Sequence, residues 1–221
     1  MSRELWTGVD RYIEERLLGP DAALEGALAD SAAAGLPPIQ VSPAQGRLLT
    51  LLALTRGAKR ILEIGTLGGY SAICLARGLG AEGRLISLEL VEQHAEVARR
   101  NVARAGLAER VEIRVGPALE SLAAMEGEGL EPFDLVFIDA DKQTIPQYFD
   151  WALKSSRMGT LIIVDNVVRD GALIDGNVND EAIQGVRKFH EQLKGEKRVT
   201  ATTIQTVGCK GYDGLTFALV V

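Results

Sequence analysis

The chain has 221 residues, 47% hydrophobic and 24% charged, an ordinary globular composition. That length suits one domain with a full sheet between two helical layers. The net charge of -6 and pI of about 5.1 argue against a broad nucleic-acid footprint. No apolar run approaches a membrane span and the opening MSRELWTGVD lacks a signal-peptide core, so a cytoplasmic location is expected.

From the N-terminus, three helical stretches are predicted at about 4–18, 21–34 and 43–56. Pro37, Pro38 and Pro43 interrupt the second and third, and Ser42-Pro43 reads as an N-cap followed by a first-turn proline. Residues 1–57 contain no strand pattern and are expected to form a helical lid or dimer arm on a core spanning 58–221. In that core, short apolar runs at 60–64, 84–89, 110–115, 133–139 and 160–165 alternate with helical stretches at about 69–80, 91–106, 117–125 and 145–157. Fully apolar strands belong in a sheet covered on both faces, and crossovers this short make it parallel and right-handed. After a helix at about 179–194, VTATTIQTV (199–207) and GLTFALVV (214–221) flank a turn rich in Gly, Lys and Asp. They pair as an antiparallel hairpin. The fold class is therefore α/β, Rossmann-like, with a mixed seven-stranded sheet.

The segment RILEIGTLGGYS (60–71) runs strand, glycine-rich turn, helix. Such a turn lets backbone approach a ligand and aims a helix N-terminus at it. It departs from the dinucleotide fingerprint by placing Glu63 where the first glycine belongs. A carboxylate there sits badly against a pyrophosphate and well against a cation, which disfavours a nicotinamide dehydrogenase. Glu89 closes the next strand, RLISLE, where it suits ribose hydroxyls. A ligand with a ribose, a positive charge and no pyrophosphate is S-adenosylmethionine.

Asp139 ends FDLVFIDADK, and Asp165-Asn166 end GTLIIVDN. If the two strands are neighbours, their ends lie about 4.8 Å apart, and about twice that with one strand between. Either spacing lets two carboxylates and an amide converge on a hard cation such as Mg²⁺. The competing explanation is that these residues cap the following helices. Lys142, three residues after Asp139, could serve the same site as a base.

These motifs, with GPALE and QTVGCKGYDGLTFALV, resemble the cation-dependent, S-adenosylmethionine-dependent O-methyltransferases that include catechol and caffeoyl-CoA O-methyltransferases. The resemblance runs from about residue 35 to 221 and implies a class I methyltransferase fold. It also implies cofactor contacts at Glu63, Gly65, Thr66, Ser71, Glu89, Ala118 and Asp139. A divalent-metal triad of Asp139, Asp165 and Asn166 would hold Mg²⁺, Mn²⁺ or Ca²⁺, with Lys142 as general base. The reaction implied is in-line transfer of the sulfonium methyl to an oxygen of a catechol-like vicinal diol. The alternative substrate is a 5-hydroxyuridine of tRNA, which also offers two oxygens to a metal; the acidic pI counts against it. Members of this type are usually homodimers. A non-catalytic cofactor-binding role would leave Asp139, Lys142, Asp165 and Asn166 without a joint purpose.

Other residues have plainer readings. Cys74 is expected to be a buried free thiol and Cys209 an exposed loop residue, with no structural disulfide. His94 and His190 read as surface residues, and Glu126, Glu128 and Glu131 as a solvated face. Asp141 reads as a helix cap, and Tyr148, Phe149 and Trp151 as core. Tyr70 either lines the cofactor pocket or does not. Substrate specificity is expected in the N-terminal helices and in loops 141–146 and 167–178. Within the latter, Arg169 is read as solvated, the alternative being contact with an anionic substrate group.

Overall fold

Runs such as RILEI and FDLVFI are apolar on both sides of the strand, and each side has its own core. The computed structural model describes residues 2–221. Before the sheet come α1 (Arg3–Leu17), α2 (Ala22–Ala33) and α3 (Pro43–Arg56). Then follow β1 (Arg60–Ile64), α4 (Tyr70–Arg77), β2 (Arg84–Glu89), α5 (Glu92–Arg104), β3 (Val111–Val115) and α6 (Ala118–Glu126). The chain continues through β4 (Phe133–Ile138), α7 (Ile145–Lys154), β5 (Ser156–Asp165), α8 (Glu181–Gly195), β6 (Val199–Gly208) and β7 (Gly211–Val220). One seven-stranded sheet results, in the order β3-β2-β1-β4-β5-β7-β6. The pairs among β1 to β5 are parallel, and β7 runs antiparallel to both its neighbours.

Alternation along the strands divides the core. Ile61, Leu85, Leu135, Phe137 and Ile163 face α3, α4 and α5, whereas Leu62, Ile64, Val136, Ile138 and Val164 face α6, α7 and α8. Strand order reverses between β1 and β4, and ligands in such sheets bind at the carboxyl ends beside that switch. The N-terminal helices start where the sequence says. Ser42 and Gln45 form a reciprocal capping box on α3, Asp21 caps α2, and Gly57 ends α3 in the left-handed conformation. Helices α2 and α3 bury Ala27, Leu49 and Ala53 in the core, while α1 buries nothing. No helix among the described residues is long and apolar enough to cross a membrane.

Three boundaries differ from expectation. Helix α7 stops at Lys154 and β5 starts at Ser156, because Ser156 already pairs with Phe133 across an irregular register. There Thr160 donates its hydroxyl to the Phe133 carbonyl at 2.6 Å and accepts the Arg157 N–H at 3.0 Å, so the chain is held extended. The hairpin turn is shorter than expected: Val207 pairs with Tyr212 and Gly208 with Gly211, leaving Cys209 and Lys210 to make the turn. Finally, loop 167–178 contains a 3-10 segment, Arg169–Ile174, in which Arg169, Asp170 and Gly171 all have positive φ.

Candidate active site at the carboxyl ends of the strands

A cavity of about 990 Å³ opens where β1, β2 and β4 end. The glycine turn (Gly65, Thr66, Gly68, with Tyr70 and Ser71), Glu89, His94, Ala118, Asp139, Lys142, Tyr148, Asn166 and Arg169 all line it. Leu36, Pro37, Pro38, Ile39 and Val41 close one side, bringing the α2–α3 connection over the strand ends. Tyr70 is thus a lining residue as well as a buried one.

The glycines of the turn answer a packing need more than a ligand. A Cβ on Gly65 would fall deep inside contact distance of the Asp139 carbonyl, and one on Gly68 inside that of the Ser31 hydroxyl. At φ 100°, Gly65 also holds a conformation other residues rarely adopt. The turn is then fastened by Glu89, whose Oε2 accepts the N–H of Leu67 at 2.7 Å and of Thr66 at 3.3 Å. Its Oε1 accepts Val91 N–H at 2.9 Å and lies 3.5 Å from His94 Nδ1. His94 therefore belongs to the site and not to the open surface. His190 is half-buried as well, its ring between the Val186 carbonyl and the Thr203 hydroxyl.

Glu63 lies beneath the turn, fully buried, and does not itself line the cavity. Ser87 donates to its Oε2 at 2.5 Å, while its Oε1 has no partner among the described residues. Burial pushes its carboxyl up to about 8, against the pull of the Ser71 and Ser87 hydroxyls and with a further push from Asp139 and Glu89. Ser87 also meets Thr66 Oγ1 at 2.5 Å, so a buried polar chain runs from Glu63 to the turn. A serine inside the apolar run RLISLE was the available signal for that chain.

Strands β4 and β5 are neighbours, with Ile138 opposite Val164, so Asp139 and Asp165 follow as the next pair. Asp139 is tied into the sheet by its N–H to the Ile64 carbonyl, 2.8 Å. Lys142 is buried, and its Nζ donates to Asp139 Oδ1 at 2.7 Å. Asp165 is 3% exposed and stands just behind the cavity wall that Asn166 forms. Its Oδ1 accepts both the N–H of Asn166 (2.7 Å) and that residue's amide (3.3 Å); its Oδ2 meets Gln45 Nε2 at 3.5 Å. Burial and then the Asp139 charge raise the Asp165 carboxyl well above the usual range. Two carboxylates on adjacent strand ends, with the Asn166 side chain beside them, are hard donors of the kind that suit a small divalent cation. Asp141 caps no backbone: it accepts the hydroxyls of Thr144 and Tyr148, the latter at 2.5 Å. Tyr148 is therefore both core and cavity wall.

Two residues that organise the site escaped the sequence reading. Asp213, in the stretch GYDG read as turn, lies within β7 and accepts the N–H groups of Val168, Arg169 and Gly214, each at 2.9 Å. Arg187 on α8 donates to the carbonyls of Ala172, Leu173, Asp175 and Val178. Together they fix the loop that follows Asn166. Cys74 is the buried thiol expected, with burial pushing it up to about 12. Cys209 is half-buried, its N–H on Asp10 of α1.

A sequence profile described as O-methyltransferase matches residues 22–220. The chain belongs to the O-methyltransferase family. Among its relatives, the catechol O-methyltransferase of Niastella koreensis is 49% identical over 220 residues, all of both chains. The O-methyltransferase from Bacillus cereus, solved in complex with SAH, is 55% identical with a TM-score of 0.98 over all of both chains. The O-methyltransferase TomG from Streptomyces achromogenes, solved in complex with SAM, is 52% identical with a TM-score of 0.96, covering 100% of this chain and 99% of that one. The class I methyltransferase fold and the family resemblance read from the motifs are thus both borne out.

Proposed function

We propose that this O-methyltransferase moves the methyl group of S-adenosylmethionine to one oxygen of a catechol-like vicinal diol, with a divalent cation in the site. The observation that carries the proposal is the Lys142–Asp139 pair at 2.7 Å, in one cavity with Asn166 and the glycine turn. Gly65, Thr66, Ser71, Glu89 and Ala118 would hold the cofactor, Glu63 acting through Ser71 from beneath. Asp139, Asp165 and Asn166 would hold Mg²⁺ or a similar ion. Such an ion lowers the pKa of a phenol, ordinarily about 10, and fixes both diol oxygens.

Everything else falls to the chain. Lys142, once its ammonium has released Asp139 and given a proton to solvent, accepts the hydroxyl proton on its neutral Nζ. The walls from Leu36 to Val41 exclude water, and the strand ends align oxygen and methyl for in-line attack. The name of the Niastella relative supports a small-molecule substrate, and no relative reported above favours tRNA. A second copy of the chain is part of the same proposal. Helix α1 buries no residue and exposes Leu5, Val9, Tyr12, Ile13 and Leu17, with Ile204 and Val207 exposed on the edge strand β6. Light scattering would show a dimer. A cytoplasmic location completes the reading.

The deciding test is transfer from labelled S-adenosylmethionine to a panel of catechols with Mg²⁺ and then with EDTA. Transfer abolished by EDTA is expected; transfer that survives it removes the metal, and a wholly inert panel removes the substrate class.

A further inference from the structure

Arg169 has an unusual division of constraint. Its backbone is firmly held: φ is 55°, a left-handed conformation that strains a non-glycine residue, and its N–H is bound by Asp213 at 2.9 Å. Asp170 and Gly171 continue the left-handed run, with φ of 54° and 81°. Its side chain, by contrast, is uncommitted. Arg169 lines the cavity, and its side chain makes no hydrogen bond or ion pair among the described residues, the Nε being closed to solvent as well.

Arg187 is satisfied by carbonyls, Arg77 by Asp21 and Arg114 by Glu112 and Glu128, and no other arginine has a buried, unpartnered nitrogen among the described residues. A buried donor on a charged group is costly to leave without an acceptor. Strained backbone that presents an unpaired cation to a cavity is the form a preorganised binding group takes.

We infer that Arg169 recognises a carboxylate on the substrate, so that the preferred acceptor is an ortho-dihydroxy aromatic acid rather than a neutral catechol. The inference rests on the proposed function and names the substrate class of that same site. Among the described residues, two Lys or Arg side chains line the cavity; Lys142 is already paired with Asp139, which leaves Arg169 for one anionic group. A singly charged carboxylate matches that and pairs bidentately with guanidinium. A phosphate dianion would need a second cation. The apolar stretch Leu36–Val41 supplies a wall for the ring. The sequence reading of Arg169 as solvated is therefore replaced.

The test compares two acceptors that differ only in charge, 3,4-dihydroxybenzoate and 3,4-dihydroxybenzyl alcohol, on the wild type, Arg169→Gln and Arg169→Lys. Expected is a wild-type preference for the acid. In Arg169→Gln, kcat/KM for the acid falls about 10- to 100-fold, carried mainly by KM, while the alcohol changes less than about 2-fold. Arg169→Lys recovers part of the loss because it keeps the charge without the fork. An equal fall with both acceptors would mean that Arg169 only shapes the loop, and no fall with either would mean that it faces no substrate group; each overturns the inference while leaving the methyltransferase reading intact. A wild type inert toward both acceptors and toward the wider catechol panel would take down that reading, and the inference with it. The alcohol serves as the folding control in every variant.

Discussion

The glycine turn after β1 and the loop after β5 wall the same cavity, yet they are held in opposite ways. The turn is fastened from within its own strand-turn-helix-strand unit: Glu89 binds Thr66 and Leu67 across 23 and 22 residues, and Glu63, Ser87 and Thr66 form one buried chain. The loop is fastened by groups that belong to no such unit, Asp213 of β7 across 44 and 45 residues and Arg187 of α8 across 14 to Leu173. A motif can encode the first kind of site, since its parts recur at fixed spacing. The second kind depends on where β7 and α8 happen to dock. With cofactor binding proposed for the turn and substrate choice for the loop, the two tasks of the cavity would be built by different means.

The strongest way to separate the two sides is Lys142→Met, which removes the proposed base and leaves the turn alone. Expected is a loss of about 10³-fold in kcat, the middle of the range for general-base catalysis, with the affinity for S-adenosylmethionine little changed in calorimetry. Equal loss of both would place Lys142 in the cofactor's binding and not in proton transfer.

Gly65→Ala should instead join them. The added methyl meets the Asp139 carbonyl, which is sheet backbone and cannot yield, and φ 100° strains any side chain. The turn and the Asp139 end of β4 must move apart together, at a cost of about 3 kcal/mol. Denaturant unfolding would read that cost, and cofactor and metal affinity should fall in parallel. A stable variant with normal affinity would mean that the close approach is not required.

Sequence reading reached the strands of the parallel core, the hairpin and the N-terminal helices, and it singled out the strand-end acids proposed as metal donors, because apolar runs, caps and strand-end acids are local signals. It left open whether β4 and β5 adjoin, which only the register Ile138–Val164 decides. Asp213 was invisible because an Asp beside two glycines signals a turn. Its place in β7 is tolerable only since its carboxylate takes three backbone N–H groups, two from the loop after β5 and one from Gly214 beside it. His94 was misassigned for a like reason: its helix is charged, and nothing local shows that Glu89 waits at its side.

Asp213→Ala tests the distant fastening directly. Three N–H groups lose their acceptor at a cost of about 2 kcal/mol, shared between global stability and loosening of residues 166–171. Hydrogen exchange should quicken in that loop and not in 65–71. The KM for the acceptor should rise while cofactor affinity holds. Exchange that quickens in both segments would show that the two sides are one unit.

The smallest expected effect lies on the turn's side and is read against pH. Glu63 keeps its proton in the folded protein up to about 8, whereas in the unfolded chain it releases it near the ordinary glutamate value of about 4.3. Between those values the folded state holds more protons, so this group's contribution to stability is fully present at low pH and is lost as pH rises. The limiting slope is about 1.4 kcal/mol per pH unit, and relaxation around the buried carboxyl reduces it to about 1 kcal/mol. Glu63→Gln keeps the shape and removes the titration. Asp165 titrates in the same direction in both proteins and cancels from their difference. The stability of Glu63→Gln relative to wild type, from urea unfolding in EDTA, should therefore climb by about 1 kcal/mol between pH 6 and pH 7. A flat difference would mean that Glu63 is already ionised in the folded protein. The cation-friendly charge beneath the turn would then be present before any cofactor arrives, and would not be drawn out by the sulfonium on binding.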